Sequence, residues 1–375
     1  MLTLRDTPDQ AQIRVEMRTW IDAHLPDELR WVTDFEQRLE LDRLLARHDL
    51  LAPGWPTAFG GRGLVPDLEF VVNQELESAG VQRATSPSHQ GVNNFAPALM
   101  VHGTDVQKSR CLPAILAVEE LWCQGFSEPD AGSDLASVRT TAVEHDDCFV
   151  VNGSKIWTSG AEEADFIYLL VRTGSVQERH RGLSFLYAPM STPGLSTRPI
   201  EQMTGGSDFS EVHLADVRVP RANLVGSVGD GWKVAMTLLS SERLSGRHRY
   251  GLFRRELVEL ARVLDPGADG TADIRSDALG QFGRVIAEVE GMGALARRIE
   301  SLRAAAVDVG SLPSVNKLWW PAAHQRLSEV GLKHAGADLS VWFERWLAAR
   351  PESIYGGTAQ IQRNIIAERF LGLPR

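Results

Sequence analysis

The feature that most constrains the fold is a change in the spacing of apolar residues along the chain. Up to about residue 120 they recur three and four positions apart, as in QAQIRVEMRTWIDAHL and LEFVVNQELESAG, which predicts amphipathic helices. From 121 to about 227 they alternate or form short blocks typical of strands, and from Gly231 the helical spacing returns. The sequence therefore predicts a mainly α fold with a central β domain. Its expected domains are N-terminal helical (1–120), middle β (121–227) and C-terminal helical (228–375).

Within the middle segment, DDCFVVNGSKIWTSG predicts two strands joined at Asn152-Gly153, because Asn-Gly favours tight hairpin turns. ADFIYLLVRTG, RGLSFLYAPM and SEVHLADVRVP predict further strands of a small, mostly antiparallel sheet. After the sheet, the spacing predicts helices at 231–250, 252–264, 272–305, 316–335, 338–349 and 358–371.

The composition excludes several classes of function. The 375 residues include 39 basic and 49 acidic ones, a net charge of −10, which argues against nucleic acid or an anionic membrane as a partner. Three cysteines without C-x-x-C spacing fit a reducing compartment, and no apolar run reaches the length of a membrane span. The ten histidines show no metal-binding spacing. We therefore expect a soluble cytoplasmic protein without a metal site.

The stretch WCQGFSEPDAGSDLASVRTTA, residues 122–142, carries the strongest chemical signal. Its Gly, Pro, Ser and Asp residues lie where the predicted helices give way to strands. Backbone N–H groups and hydroxyls in such a segment can approach a planar, electron-rich ligand closely. A purely structural turn is the other interpretation that the residues alone leave open.

Five motifs follow one another in the order found in acyl-CoA dehydrogenases: GFSEPDAGSD, NGSKIWTSGA, VHLADVRVP, GDGWKVAM…SERL and IYGGTAQIQRNIIAERFLGLPR. With HGTDVQKSRCLPAIL upstream, the chain resembles this family, especially its actinobacterial members, over nearly its whole length. The resemblance implies an N-terminal helical domain, a β-barrel-like domain and a C-terminal four-helix bundle. It also implies a noncovalent FAD enzyme that removes two hydrogens across Cα–Cβ of an acyl thioester. A carboxylate takes the α-proton and flavin N5 accepts the β-hydride.

The resemblance implies a set of cofactor contacts, which in chain order are Phe126, Ser127, Trp157, Thr158, Ser159, Thr358 and Gln360. Phe126 and Ser127 match positions that contact the isoalloxazine ring, and Trp157 matches an indole packed against it. The backbone of Thr158 should face the ring, with the Ser159 hydroxyl near N5. An ordinary packed aromatic remains the alternative for Trp157.

The position of the catalytic base departs from the commonest family pattern. Most members have a glutamate where this chain has Gly356, and Glu352 would have to fold back past Tyr355 to replace it. A minority, the isovaleryl and long-chain enzymes, take the base from a C-terminal-domain helix, where a glutamate precedes an arginine. Glu242-Arg243 matches that pair.

The helical spacing offers independent support for Glu242. Trp232, Ala235 and Leu239 predict a buried stripe, and Glu242 follows three residues later. A carboxylate on an apolar stripe is costly unless it is paired, protonated or functional. We expect Glu242 to be the base, while a structural ion pair with Arg243 stays open.

On the substrate side, Ser133 matches a contact to the pantetheine or phosphate part of CoA, and Arg243 and Gly356 are the other expected substrate contacts. Two motifs that hold the adenine half of FAD in many members, Arg-x-x-Phe-Gly and Gln-x-x-Gly-Gly-x-Gly, are not intact, and Arg275 is a weak substitute. Some bacterial members with such gaps share the missing residues between two related chains.

The expected partners are an acyl-CoA or acyl-carrier-protein thioester, an electron-transfer flavoprotein, and other subunits of a homotetramer or of a heterotetramer with a related chain. Three alternatives remain: a carrier-protein-linked biosynthetic dehydrogenase, a flavin monooxygenase on the same fold, and a non-catalytic subunit. The acyl group is not encoded in any motif, although a base on the helix is associated with branched, long or bulky groups.

Overall fold

The structure, a computed structural model, describes residues 6–83, 86–243, 249–264 and 272–374, without the side chains of 242, 243 and 272–276. Its helices are α1 (Pro8–His24), α2 (Phe35–Arg47), α3 (Pro66–Ser78), α4 (Ala96–His102), α5 (Asp105–Leu116), α6 (Gly231–Arg243), α7 (Arg249–Val263), α8 (Ala272–Ala304), α9 (Leu312–His334), α10 (Leu339–Ala348) and α11 (Ala359–Arg369). Its strands are β1 (Trp122–Gly125), β2 (Thr141–Glu144), β3 (Cys148–Ser159), β4 (Phe166–Arg172), β5 (Leu183–Pro189), β6 (Leu195–Ile200), β7 (Phe209–Pro220) and β8 (Leu224–Val225).

Helical segments precede and follow the strands, which confirms the predicted fold class. The chain forms two compact units, and the predicted domain boundaries stay a prediction. A helical unit draws on residues 1–32, 64–84 and 243–375, and a sheet unit on 33–63 and 85–242. None of the described helices is long and apolar enough to cross a membrane.

The sheet unit is built on eight strands. Seven lie side by side in the order β6-β7-β3-β2-β4-β5-β8, and β1 pairs with β4 in parallel. The apolar core of the sheet is formed by alternate, inward-facing residues, among them Phe149, Val151, Leu169, Val212 and Val217. Most of the pairing is antiparallel, as the sequence predicts.

The hairpin predicted at Asn152-Gly153 is wrong, because β3 runs unbroken from Cys148 to Ser159. The Asn152 side chain reaches across to β7, where its Oδ1 accepts from the Asp216 N–H at 2.8 Å. Gly153 has a φ of 149°, and a Cβ there would lie 2.5 Å from the Thr140 hydroxyl oxygen. The register shifts between Val151 and Gly153, so the glycine makes a bulge rather than a turn.

In the helical unit, α7, α8, α9 and α10 surround a core that contains Phe253, Val289, Trp320, Leu327 and Trp342. Most predicted helices match α7 to α11 within four residues. The one predicted at 231–250 covers α6, residues 244–248 outside the described part, and the start of α7. Gly331 of α9 lets Trp342 of α10 approach the helix backbone, because a Cβ there would overlap the indole.

We expect Gly331→Ala to lower the free energy of unfolding by about 1–3 kcal/mol, because Trp342 is buried and must shift to admit the methyl group. Urea unfolding followed by tryptophan fluorescence measures this change. Lys333→Ala, on the same helix, shortens an exposed side chain and should change stability by less than about 1 kcal/mol. Equal effects for the two variants would contradict the packing argument.

Candidate functional site

The loop after β1, residues 126–128, is fixed from inside the sheet unit. Its Phe126 side chain is buried and meets Tyr168 and Phe185 edge-on, with ring centroids 5.8 and 5.9 Å apart. The Ser127 carbonyl accepts a hydrogen bond from the Ile156 N–H at 2.9 Å. The loop backbone is therefore held against β3, where the two predicted ring contacts Phe126 and Ser127 lie next to the predicted Trp157–Ser159 segment.

A buried lysine is the main support of this loop. Lys155 Nζ donates to the Phe126 carbonyl at 3.1 Å, to Glu128 Oε1 at 2.8 Å and to the Leu170 carbonyl at 2.7 Å, so each of its three protons has an acceptor. The Glu128 carboxylate also accepts from the Arg139 and Thr140 N–H groups. Burial lowers the pKa of Lys155 to about 8 although Glu128 opposes this. Burial opposes ionisation of Glu128 too, but Lys155 holds its pKa below the ordinary value.

Trp157 is presented outward by a second irregularity of β3. The pairing with β7 shifts between Lys155 and Thr158, and Trp157 has a φ of 61°, which is rare for an aromatic residue. The residue is 57% exposed, and its indole meets Phe209 edge-on, at 6.3 Å between centroids. A bulge next to a site re-aims a side chain, and strain of this kind collects at functional positions.

Thr158, the next residue after Trp157, has a buried hydroxyl group. Its side chain is fully buried, and its hydroxyl has no hydrogen-bond partner among the described residues. Ser159 is half-buried and pairs with Phe209 at the end of the ladder. An exposed indole, a partnerless buried hydroxyl and a loop of fixed backbone fit one edge and face of a planar, hydrogen-bonding ring system.

The predicted substrate contact Ser133 is exposed. It precedes Asp134, whose carboxylate pairs with Arg179 at 2.8 Å. Arg172 ties the neighbouring turns together, donating to the carbonyls of Val138, Ala136, Ser175 and Arg179. Ser133 thus lies on a braced surface turn that a long, flexible substrate could reach.

The backbones of Glu242 and Arg243 form the last turn of α6, while their side chains lie outside the described part. The buried stripe of α6 is centred on Val234, Ala235 and Leu238, with Trp232 and Leu239 only half-buried, so its centre differs from the predicted one. Glu242 follows Leu238 by four residues. Arg275 also lies outside the described side chains.

One feature beside Glu242 was not predicted. The Ser241 hydroxyl donates to the Asn93 carbonyl at 2.8 Å, and Asn93 lies in a π-helical turn, Gln90–Phe95. Such turns are frequent at functional sites, but no sequence pattern distinguishes this one from the helix that follows. The hydrogen bond places the turn against the end of α6.

The C-terminal loop, Tyr355–Thr358, has a specific backbone. Gly356 and Gly357 both have positive φ, 62° and 89°, and the Thr358 side chain caps α11 by accepting from the Ile361 N–H. Gln360, a predicted cofactor contact with Thr358, is exposed. The two predicted contacts follow directly on the glycine pair in the helical unit.

Just upstream lies a buried ion network that sequence reasoning missed. His324 of α9 bridges two carboxylates, with Nδ1 2.8 Å from Glu352 Oε2 and Nε2 3.0 Å from Glu256 Oε2. Burial opposes its charge, but Glu256 and Glu352 together raise the pKa of His324 to about 10. Arg249 and Lys317 also contact Glu352. The signal was weak, since Glu256, His324 and Glu352 are far apart in sequence.

Glu352 is thus not a replacement for the glutamate missing at Gly356. Its side chain is 3% exposed and is held by His324 and Arg249. A carboxylate committed to two cations in the interior is not free to take a proton from a substrate.

Lys155→Met leaves Glu128 buried without its counter-charge, so we expect the free energy of unfolding to fall by about 3–5 kcal/mol. Glu128→Gln should cost a similar amount. The double variant should lose less than the sum of the two, because it leaves no unpaired charge. Urea unfolding measures all three. Asp134→Asn, which breaks an exposed pair, should cost less than about 1 kcal/mol, and additive losses in the double variant would contradict the argument.

The His324 bridge should make stability depend on pH. Its folded-state pKa lies above the unfolded value of about 6.5, so its contribution is complete below that pH and is lost as the pH rises through about 10. We expect His324→Gln to be most destabilising at pH 6 and progressively less so towards pH 10. Urea midpoints of the two proteins across this range measure the difference. A difference that stays constant with pH would refute a charged bridge.

Comparison with known proteins agrees with the motif order. Models of the N-terminal, middle and C-terminal domains of acyl-CoA dehydrogenases match residues 7–119, 123–217 and 229–371. The acyl-CoA dehydrogenase IpdE1 of Mycolicibacterium smegmatis is 37% identical over 399 residues, which cover 97% of this chain and 98% of the relative.

Two solved structures superpose over their full length and over all of this chain. The ChsE4-ChsE5 complex of Mycobacterium tuberculosis is 32% identical with a TM-score of 0.85. The Tcur3481-Tcur3483 steroid ACAD is 29% identical, also with a TM-score of 0.85. The chain belongs to the acyl-CoA dehydrogenase family, a family of flavoprotein oxidoreductases.

Proposed function

We propose that this chain dehydrogenates an acyl-CoA thioester between Cα and Cβ with FAD as cofactor. The observation that carries the proposal is the exposed Trp157, held at positive φ beside the partnerless hydroxyl of Thr158. The exposed indole adds little to the packing of the sheet, and the buried Thr158 hydroxyl has no hydrogen-bond partner among the described residues, so both suit a flat, polar-edged ring.

The chain's own residues supply the cradle for this ring. The backbone of Phe126 and Ser127 and the hydroxyl of Ser159 offer hydrogen bonds, and the Trp157 indole offers a flat surface for stacking. From the C-terminal loop, Thr358 and Gln360 would contact the cofactor. When bound, FAD would supply the acceptor for the β-hydride.

Glu242 is our proposed base for the α-proton. Its backbone ends α6 beside the π-helical turn. Ser133 and Arg243 would bind the CoA part, and Gly356, with no side chain, would leave room for the thioester beside the loop. The α-proton is weakly acidic, so orienting the thioester against an ionised carboxylate is the main task of these residues.

The names of the relatives suggest a large acyl group and a second subunit. One similar structure is a steroid ACAD with two named components, and the ChsE4-ChsE5 complex is also named for two components. We propose a bulky, steroid-derived acyl group for this chain, with an electron-transfer flavoprotein as the acceptor of its electrons.

The surface of the helical unit supports assembly with a related chain. Leu279, 59% exposed, stands three residues before Phe282-Gly283, where the family motif has its arginine. Leu279 and Ile286 expose an apolar row on α8, and α10 exposes Leu339 and Phe343 on one of its faces. Exposed apolar rows of this kind mark interaction surfaces. A related chain that covers them could supply the missing adenine contact.

The test is an anaerobic titration of the purified protein with acyl-CoA thioesters, including straight-chain, branched and steroid-derived ones, followed by the oxidised flavin absorbance. We expect one class of thioester to bleach the flavin rapidly. In Glu242→Gln the rate of bleaching should fall about 100-fold or more. Glu36→Gln, in an exposed first turn of α2, is the control and should bleach like the wild type.

Other outcomes decide between the alternatives. If only carrier-protein thioesters bleach the flavin, the substrate is attached to an acyl carrier protein and not to CoA. A chain that is colourless alone but yellow and active when co-produced with a related chain would place part of the FAD site in that chain. A yellow protein that no thioester bleaches would refute the proposed reaction.

A further inference from the structure

We propose that His324 is a positioning residue for the thioester, because its bridge between Glu256 and Glu352 fixes the C-terminal loop Tyr355–Thr358. The inference rests on the proposed function, in which Gly356 of this loop contacts the substrate. His324 itself is 4% exposed and lies in the interior of the helical unit.

Glu352 connects the His324 bridge to the C-terminal loop. Glu352 lies in a 3-10 turn, Pro351–Ser353, that leads directly into Tyr355. The Glu352 side chain is held by His324, and its backbone carbonyl accepts from Lys317 Nζ at 2.6 Å. Both the side chain and the backbone of this residue are therefore tied to α9.

Tyr355, the first residue of the loop, is held by Arg249 and Lys317. Arg249 pairs with Glu352 at 3.5 Å and donates to the Tyr355 hydroxyl at 3.1 Å. Lys317 lies over the same phenol ring, 5.1 Å from its centroid, and the Trp320 ring packs beside it at 6.2 Å. The same cations thus hold Glu352 and Tyr355, so the loop begins at a defined place.

The glycine pair of the loop is held by a side chain of α11. Buried Gln362 of α11 donates to the carbonyls of Gly356 and Gly357, each at 3.3 Å. A Cβ on Gly357 would lie 2.5 Å from Gln362 Nε2, so the Gln362 side chain packs closely against the Gly357 backbone. With one end fixed by the bridge and the glycine carbonyls fixed by Gln362, the loop has little freedom between them.

The buried charges of the His324 network need a reason other than stability. An ion network in a protein interior seldom stabilises more than apolar side chains of the same volume would. Here Glu256 of α7 is also joined to Arg345 of α10 at 3.7 Å, so its carboxylate links α7, α9 and α10. What apolar packing could not supply is directed hydrogen bonding to the Glu352 carbonyl and the Tyr355 hydroxyl. The network therefore specifies the loop more than it stabilises the helices.

The experiment compares His324→Gln with the wild type by steady-state kinetics on the thioester that bleaches the flavin. We expect KM to rise about tenfold and kcat to change much less, because a misplaced loop weakens binding before it affects the base on α6. Tyr355→Phe removes only the hydroxyl held by Arg249, folds more readily, and should raise KM by a smaller factor. Unchanged KM in both variants would overturn the proposal.

The matched control lies two residues further along α9. Arg326→Gln breaks the Arg326–Glu288 pair, 2.7 Å long and more exposed, and should leave KM unchanged. An equal rise in KM in this control would mean that any loss of charge on α9 acts through general stability, and would also overturn the proposal.

Hydrogen exchange separates this inference from the proposed reaction, because it needs no turnover. We expect peptides that cover residues 351–360 to exchange faster in His324→Gln than in the wild type or in Arg326→Gln. Unchanged exchange in this segment would refute the role of the bridge even in an active enzyme. Faster exchange in a protein that dehydrogenates no thioester would refute the reaction but retain the hold on the loop.

Discussion

The contact between the Lys155 ammonium and the Glu128 carboxylate is the interaction on which the sheet unit's candidate site depends. It joins β3 to the loop after β1 and, through the Leu170 carbonyl, to β4. Because the lysine is completely buried, its charge has to be met by nearby acceptors, and one of these is the Phe126 carbonyl. The need of the buried ammonium for acceptors thereby fixes the position of the Phe126 backbone. Two residues beyond Lys155, the same strand turns Trp157 outward at positive φ.

Much of this architecture could be predicted from the sequence, because helix and strand periods are local properties. The spacing of Val212, Leu214, Val217 and Val219 indicates a half-buried strand, and β7 includes all four. The hairpin at Asn152-Gly153 failed for a physical reason. A turn signal describes the preference of two residues, whereas the pairing of β3 with both β2 and β7 involves the whole strand. Tertiary pairing therefore outweighed the local preference.

The parts of the candidate site that could not be predicted are the ones that depend on distant partners. An inward lysine at position 155 stands out in the alternation of β3, but nothing local identifies Glu128, 27 residues earlier, as its partner. His324 meets Glu256 and Glu352, 68 and 28 residues away, and a lone histidine in a helix has no distinguishing pattern. Motif order predicts the cofactor residues because it follows the family pattern, and those contacts stay a prediction. The supporting residues lie outside those roles and become visible only when the chain is folded.

The two units use the same device in different surroundings. In the sheet unit Lys155 donates to the carbonyl of Phe126, and in the helical unit Lys317 donates to the carbonyl of Glu352. In each case a buried carboxylate balances the cations and the bound carbonyl belongs to a segment that leads into predicted site residues. A loop held in this way keeps its shape without bulky side chains of its own. That explains how a Gly-Gly pair, the most flexible sequence a loop can contain, can still hold a defined conformation at Tyr355–Thr358. The defined backbone of this loop therefore comes from its neighbours in the helical unit, Lys317, Arg249 and Gln362, rather than from side chains of the glycine pair.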